Sequence, residues 1–212
     1  HQAIAQAQLN ASEPLKKQLW QQTIISKICN QAAVIEGYTD KDAIAIQRFA
    51  KSVKSGDSDN MEGRAAKVYW KLLFPEKLKF NRDADGLPPN NALNYGYSIL
   101  RSITARALVG SGLMPVLGLF HRNQYNPFCL ADDIMEPYRV YVDLIVQKMV
   151  IDGFDLTNLS KESKFQLAQL STCDVNIEGK KRPLMVAMQH TTASLNKCFL
   201  GKSRNIVYPQ VD

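Results

Sequence analysis

The chain has 212 residues, of which 45% are apolar and 22% charged, and its net charge is +6. This length allows one large domain or two small ones, and the composition excludes a disordered chain. No apolar run approaches the ~18 residues of a membrane span, and the first residues lack the pattern of a signal peptide. The cysteines at 29, 129, 173 and 198 form no C-x-x-C pair, which favours reduced, mostly buried thiols in a cytoplasmic protein.

The charge is unevenly distributed along the sequence. No acidic residue occurs in 86–131 or in 179–211, whereas Asp132, Asp133 and Glu136 lie close together. Basic stretches around a small acidic cluster suit a polyanion that is bound near a metal ion. The alternative is a solvated, mildly basic surface that serves solubility.

Helical periodicity dominates the pattern of apolar residues. Capping residues, glycines and prolines predict helices over 12–37, 39–56, 61–73, 90–109, 130–151 with a joint at Pro137, 160–170 and 192–200. Loops are predicted over 81–89 and 113–128. Alternation over 174–178, a turn at Gly179 and an apolar run over 183–188 predict one hairpin. We therefore expect a mostly α-helical domain over residues 1–212 with at most one small β-hairpin.

Glu62 is the first residue whose position suggests chemistry. On the predicted helix it shares a face with Ala65, Tyr69 and Leu73, and a carboxylate beside an apolar face is costly unless it is paired or bound to metal. The alternative is structural, because an acid in the first helical turn interacts favourably with the helix dipole.

His121 and the acidic cluster provide further candidate ligands. His121 lies between apolar residues and the polar run 122–126, although a lone histidine can also be purely structural. Asp133 and Glu136 are three residues apart on a predicted helix and can present oxygens to a hard divalent ion. They can equally form a solvated acidic face opposite Arg139. Two carboxylates and one imidazole suit Mg²⁺ or Mn²⁺ better than a metal that prefers thiolates.

Four segments together resemble a known family. They are MEGRAA at 61–66, NNALNYGY at 90–97, GLFH at 118–121 and DDIMEPYR at 132–139. Their order and spacing resemble the CRISPR-associated integrase family (Cas1), which inserts spacers during adaptation, and 14–20 and 123–128 resemble its type II members. The resemblance runs from about Leu9 to Pro209. It covers the helical catalytic domain only, so we expect that the β-rich N-terminal domain of the family is lacking.

The resemblance also implies an activity and a set of site residues. Glu62, His121 and Glu136 match the family's catalytic metal ligands for Mg²⁺ or Mn²⁺, and Asp133 matches an accessory acid. The implied reaction is attack of a DNA 3′-hydroxyl on a phosphodiester of the repeat array, with endonuclease cleavage as a side activity.

The implied partners are double-stranded and branched DNA, a second copy in a homodimer and the small CRISPR protein Cas2, in a prokaryotic cytoplasm without membrane association. The candidate phosphate-binding side chains are Arg64, Arg101, Arg106, Arg122 and Arg139. Two alternatives remain open: a non-catalytic DNA-binding or scaffold fragment, and a purely structural helical domain.

Overall fold

The computed structural model describes residues 2–211, so that His1 and Asp212, the ends of the predicted domain, lie outside the described residues. The described chain is mostly helical, as predicted, and has one two-stranded antiparallel sheet. The helices are α1 (Gln2–Leu9), α2 (Glu13–Tyr38), α3 (Ile44–Ser52), α4 (Met61–Leu73), α5 (Asn90–Gly110), α6 (Cys129–Ile134), α7 (Arg139–Ile151), α8 (Lys161–Ala168) and α9 (Leu184–Phe199). The strands are β1 (Asp174–Ile177) and β2 (Lys180–Pro183), and short 3₁₀ turns cover Ser55–Asp57, Glu76–Leu78, Glu136–Tyr138 and Gln169–Thr172.

Side-chain caps begin three of the helices where the sequence predicts a start. The side chains of Ser12, Asn60 and Ser160 accept hydrogen bonds from backbone N–H groups in the first turns of α2, α4 and α8. The predicted joint at Pro137 is also confirmed, because a 3₁₀ turn separates α6 from α7 there.

The predicted start of α3 is wrong. Thr39 does not begin a new helix, because its hydroxyl and its N–H both bond back to Ile35 O and end α2. The chain then stays irregular until Ile44, whose N–H donates to the carboxylate of Asp42.

The hairpin exists, but its second strand differs from the prediction. Glu178 and Gly179 both have positive φ, 53° and 70°, which makes a two-residue turn and pairs Ile177 with Lys180. The basic segment Lys180–Pro183 is therefore the second strand. The apolar run that was predicted to be a strand instead begins α9 at Leu184, well before the predicted start at Thr192.

The core lies between two groups of helices. α2 packs against α3, α4 and α7, whereas α5 packs against α7, α8 and α9. α5 and α7 approach closely at Gly96, where an added Cβ would lie 2.4 Å from a methyl carbon of Val142. The C-terminal segment also contacts α2, because Tyr208 and the carbonyl of Pro209 hydrogen-bond to Thr23 and Asn30.

The structure also tests two further expectations. Within residues 2–211 no helix is long and apolar enough to cross a membrane. All four cysteines are free thiols, as predicted. Cys129 and Cys198 are buried and Cys173 is half-buried, but Cys29 on α2 is exposed, so the expectation of mostly buried thiols fails there.

Candidate functional site

The inner side of α2 carries a row of buried residues spaced by four. Its ends are apolar and its centre is polar: Leu19, Thr23, Lys27, Gln31 and Ile35. Lys27 is only 7% exposed. A buried ammonium is costly without anionic partners, so its surroundings identify the chemistry of this region.

Two of the predicted metal ligands meet at Lys27. Its Nζ lies 2.6 Å from Oε1 of Glu62, in the first turn of α4, and 2.5 Å from Oε2 of Glu136, in the 3₁₀ turn before α7. Glu136 is almost fully buried, whereas the side chain of Glu62 is 27% exposed. The fold thus places two carboxylates from distant segments around one positive charge.

Glu62 does not act as the cap of α4. The carboxylate of Asp57 accepts hydrogen bonds from the N–H groups of Met61 and Glu62, at 2.8 and 3.0 Å, and Asn60 accepts from the N–H of Gly63. Other side chains therefore satisfy the helix N-terminus, and the carboxylate of Glu62 faces Lys27 instead.

Both oxygens of Glu136 contact cations. Arg139 Nη2 lies 2.9 Å from Oε1, and Lys27 pairs with Oε2. Burial disfavours the charged form of Glu136, but Arg139 and then Lys27 outweigh burial and hold its pKa below the ordinary value. The guanidinium of Arg139 also lies over the ring of Tyr97, 4.6 Å from its centroid.

His121 lies in the loop between α5 and α6, with 44% of its side chain exposed. Its Nδ1 is 2.5 Å from Oδ1 of Asp133, and this hydrogen bond is the main reason that the pKa of His121 is raised, against the effect of burial. A carboxylate on Nδ1 orients the ring and leaves Nε2 to bind a metal ion. The ring also meets those of Trp20 and Phe120 edge to face.

Asp133 organises the loop that carries His121. It is fully buried, and its oxygens accept from the backbone N–H groups of Leu119, Phe120 and His121 at 2.6, 3.0 and 3.3 Å. The loop closes so tightly that a Cβ on Gly118 would lie 2.3 Å from the carbonyl oxygen of His121. Asp133 thus contacts both the backbone of this loop and the ring of His121, and its accessory role in the reaction stays a prediction.

The donor set fits a hard divalent cation. Two carboxylates and an imidazole are ligands that Mg²⁺ and Mn²⁺ accept, and the Lys27 ammonium already stands as a cation between the carboxylates. His121 and Glu136 are near enough to influence each other's pKa. Over residues 2–211, however, no three His, Cys, Asp or Glu side chains are arranged to hold a metal ion together.

The five predicted phosphate-binding arginines have different surroundings. Arg101 pairs with Asp132, Arg122 with Glu13 and Arg139 with Glu136. Arg64 and Arg106 are exposed, on α4 and α5 respectively. Arg64 lies over the ring of Phe49, 5.0 Å from its centroid. Their role in DNA binding stays a prediction.

Another buried carboxylate, Asp143 on α7, lines a cavity together with Lys27, Glu136 and Arg139 and was absent from the predicted site. The hydroxyls of Tyr69 and Tyr97 donate to it at 2.9 and 2.5 Å. Burial raises its pKa to about 6, although these hydrogen bonds and the charges of Arg139 and Lys27 oppose the rise. Asp143 thus links α4, α5 and α7 through these two tyrosines.

Lys27 was also absent from the predicted site. A lysine in a helix is usually solvated, and nothing adjacent to it in the sequence marks it. The available signal was its position in the row of α2, four residues after Thr23 and eight after Leu19, both of which are fully buried.

The fold and these clusters define a helical protein with a histidine–carboxylate site supported by buried charges. Comparison with known sequences identifies the family. The family described as CRISPR associated protein Cas1 matches residues 1–184, and the chain belongs to that family.

Curated relatives agree with this assignment. The chain is 41% identical over 210 residues to the CRISPR-associated endonuclease Cas1 of Neisseria meningitidis serogroup C, a match that covers 98% of this chain and 68% of the relative. A Cas1 endonuclease of Pyrobaculum aerophilum is 30% identical over 164 residues, covering 76% of this chain and 54% of the relative.

Solved structures share the fold at lower identity. A casposase bound to its integration product has a TM-score of 0.79 at 20% identity, covering 96% of this chain and 70% of that one. A Cas6-RT-Cas1–Cas2 complex has a TM-score of 0.80 at 21% identity, covering 99% of this chain and 27% of that one.

Proposed function

We propose that this protein is a metal-dependent DNA integrase and endonuclease of CRISPR adaptation. The observation that carries the proposal is the meeting of Glu62 and Glu136 around one cationic group, together with a histidine that Asp133 orients and whose charge affects the pKa of Glu136. The names of the relatives, which are Cas1 endonucleases, support the same activity.

In this proposal Glu62, Glu136 and Nε2 of His121 hold one Mg²⁺ or Mn²⁺. When bound, such an ion supplies Lewis-acid stabilisation of charge on the phosphate and on the attacking or departing oxygen. Glu136 stays ionised despite its burial because Arg139 lies against it. Asp133 holds His121 in the orientation and tautomer that a metal ligand needs.

The proposed substrate is double-stranded or branched DNA, whose 3′-hydroxyl attacks a phosphodiester of the repeat array. Exposed basic side chains such as Arg64, Arg106 and Arg122 hold phosphates and position the strands. The structural likeness to a Cas1–Cas2 complex and to a DNA-bound casposase supports Cas2 and DNA as partners, and we include a homodimer in the proposal.

Strand transfer of a labelled spacer into a repeat-containing plasmid, with Mg²⁺ or Mn²⁺ and Cas2 present, tests the proposal. We expect Glu62→Ala, His121→Ala and Glu136→Ala each to reduce the rate about a hundredfold or more, because each removes a metal ligand. Glu76→Ala, at an exposed carboxylate in a separate 3₁₀ turn, is the matched control and should retain the wild-type rate.

Two outcomes contradict the catalytic proposal. If the three site variants transfer strands at the wild-type rate, these residues do not form the active site. If the wild-type protein binds branched DNA in a salt-dependent manner but catalyses no transfer under any metal condition, the chain is a DNA-binding fragment of the adaptation complex.

A further inference from the structure

We propose that Lys27 is an internal counter-ion with two positions: it neutralises Glu62 and Glu136 in the metal-free protein and moves to Gln31 and Asp143 when a divalent cation binds. The inference rests on the metal site proposed above. It adds a positioning residue that sets how tightly that site binds metal.

Oxygens of both carboxylates are already in contact with cationic side chains. Oε2 of Glu136 is buried and contacts Lys27 but has no hydrogen bond of good geometry, while Oε1 of Glu136 contacts Arg139. A metal ion that binds both Glu62 and Glu136 needs the space that the Lys27 ammonium occupies. Since two cations repel each other at such short range, Lys27 has to leave.

The structure also offers a second position for the displaced ammonium. A cavity of about 90 Å³ adjoins the site, and Lys27, Gln31, Glu136, Arg139 and Asp143 are among the residues that line it. Gln31 is 3% exposed, and its Oε1 is a buried acceptor without a hydrogen-bond partner. Leaving such an acceptor unsatisfied destabilises the folded state, so the oxygen favours any donor that reaches it.

The displacement of the ammonium is short, and it leaves the ammonium next to another carboxylate. Gln31 follows Lys27 by four residues on the same face of α2, so rotation about side-chain bonds, without movement of the helix, turns the ammonium toward it. Asp143 lines the same cavity, and the charge of Lys27 already acts to lower its pKa. A buried lysine between an amide oxygen and a carboxylate keeps its charge compensated.

The consequence is a competition that lowers the affinity for metal. The fraction of molecules in which the two carboxylates are unpaired limits the apparent affinity of any ligand that needs them. Removal of the ammonium abolishes the competition. In the metal-free protein it takes this cation away from the partly exposed Glu62 and leaves the buried Glu136 with Arg139 as its cationic partner. Removal of the acceptor at Gln31 leaves the ion pairs intact but takes away the second position of Lys27.

Isothermal titration of the protein with MnCl₂, together with thermal unfolding with and without MnCl₂, tests this inference without an activity assay. We expect Lys27→Met to bind Mn²⁺ about tenfold more tightly than wild type. Without metal this variant should unfold at a lower temperature than wild type, and added Mn²⁺ should raise its unfolding temperature by more. We expect Gln31→Leu to bind Mn²⁺ several-fold more weakly than wild type. In the absence of metal its unfolding temperature should be no lower than that of wild type. Lys71→Met, at an exposed lysine of α4, is the matched control and should behave as wild type.

The possible failures are distinguishable. If wild type binds Mn²⁺ saturably and Lys27→Met binds it equally or more weakly, the counter-ion role is wrong while the proposed function stands. If Lys27→Met does not fold, Gln31→Leu decides, and an unchanged Mn²⁺ affinity in that variant overturns the two-position mechanism. If wild type does not bind Mn²⁺ at all, both this inference and the metal-dependent function are wrong.

Discussion

Asp133 shows how much one side chain contributes to the candidate site. Its two oxygens accept from three backbone N–H groups of the 119–121 segment and contact Nδ1 of His121. The same carboxylate therefore stabilises the conformation of the loop and orients the imidazole ring of His121. Any change that removes its charge affects both.

We predict that Asp133→Asn weakens Mn²⁺ binding about 10–100-fold, the usual effect of removing a carboxylate that orients a metal-binding histidine. Titration calorimetry at a temperature where the variant is folded measures the affinity. Asp132→Asn is the matched control, because Asp132 is also largely buried but contacts Arg101 and Asn126 rather than His121. Equal Mn²⁺ affinities for the two variants would show that Asp133 does not position a ligand.

The sequence was informative for some residues of the site and silent for others. Glu62, His121 and Glu136 could be chosen because the motifs that contain them resemble those of the family, although each residue alone also has a structural explanation. Lys27 could not, because its burial depends on two carboxylates that are 35 and 109 residues away in the chain. The function of a buried charge is decided by its partners, and a single sequence does not show which partners meet.

The loop between α5 and α6 depends on a close approach at Gly118. A Cβ there would lie 2.3 Å from the backbone oxygen of His121 and 2.9 Å from Oδ2 of Asp133. Neither atom belongs to the flexible end of a long side chain, so the loop itself has to move. The element that carries the imidazole thus tolerates no side chain at this position.

We predict that Gly118→Ala lowers the free energy of unfolding by about 1–3 kcal/mol, the range for overpacking, as measured by urea denaturation. Gly110→Ala is the matched control, because Gly110 ends α5 and an added Cβ there has no atom within 4 Å. That variant should be neutral or slightly stabilising. Equal stability of the two variants would mean that the loop absorbs a methyl group without cost.

The elements themselves differ in how well their ends could be predicted. α4 runs from Met61 to Leu73 as predicted, because Asn60 caps it and Pro75 prevents its continuation. The end of β1 was harder to predict. The turn needs positive φ at Glu178, a residue that rarely adopts it, and this shifts the second strand from the apolar run to the basic one.

Across the whole molecule, Asp143 connects three helices through the hydroxyls of Tyr69 and Tyr97. Its pKa of about 6 lies above the ordinary value of 3.8. Between these two values the folded state holds a proton that the unfolded state has released. The contribution of Asp143 to stability is therefore complete below about pH 4 and is lost as the pH rises through about 6.

We predict that wild type loses roughly 2 kcal/mol more stability than Asp143→Asn between pH 4 and pH 7, because only wild type has to ionise this buried group. Urea unfolding of both proteins at the two pH values gives the difference directly. A parallel pH dependence of the two curves would contradict the raised pKa of Asp143.

The proposed function requires that Glu62, His121 and Glu136 bind one divalent metal ion. Anomalous diffraction from crystals of the protein soaked in MnCl₂ tests it most directly. We expect one Mn²⁺ peak with Glu62, Glu136 and Nε2 of His121 as ligands at ~2.1 Å, the distance expected for a small hard cation. The absence of a peak at saturating Mn²⁺, or a peak that these three side chains do not contact, would contradict it.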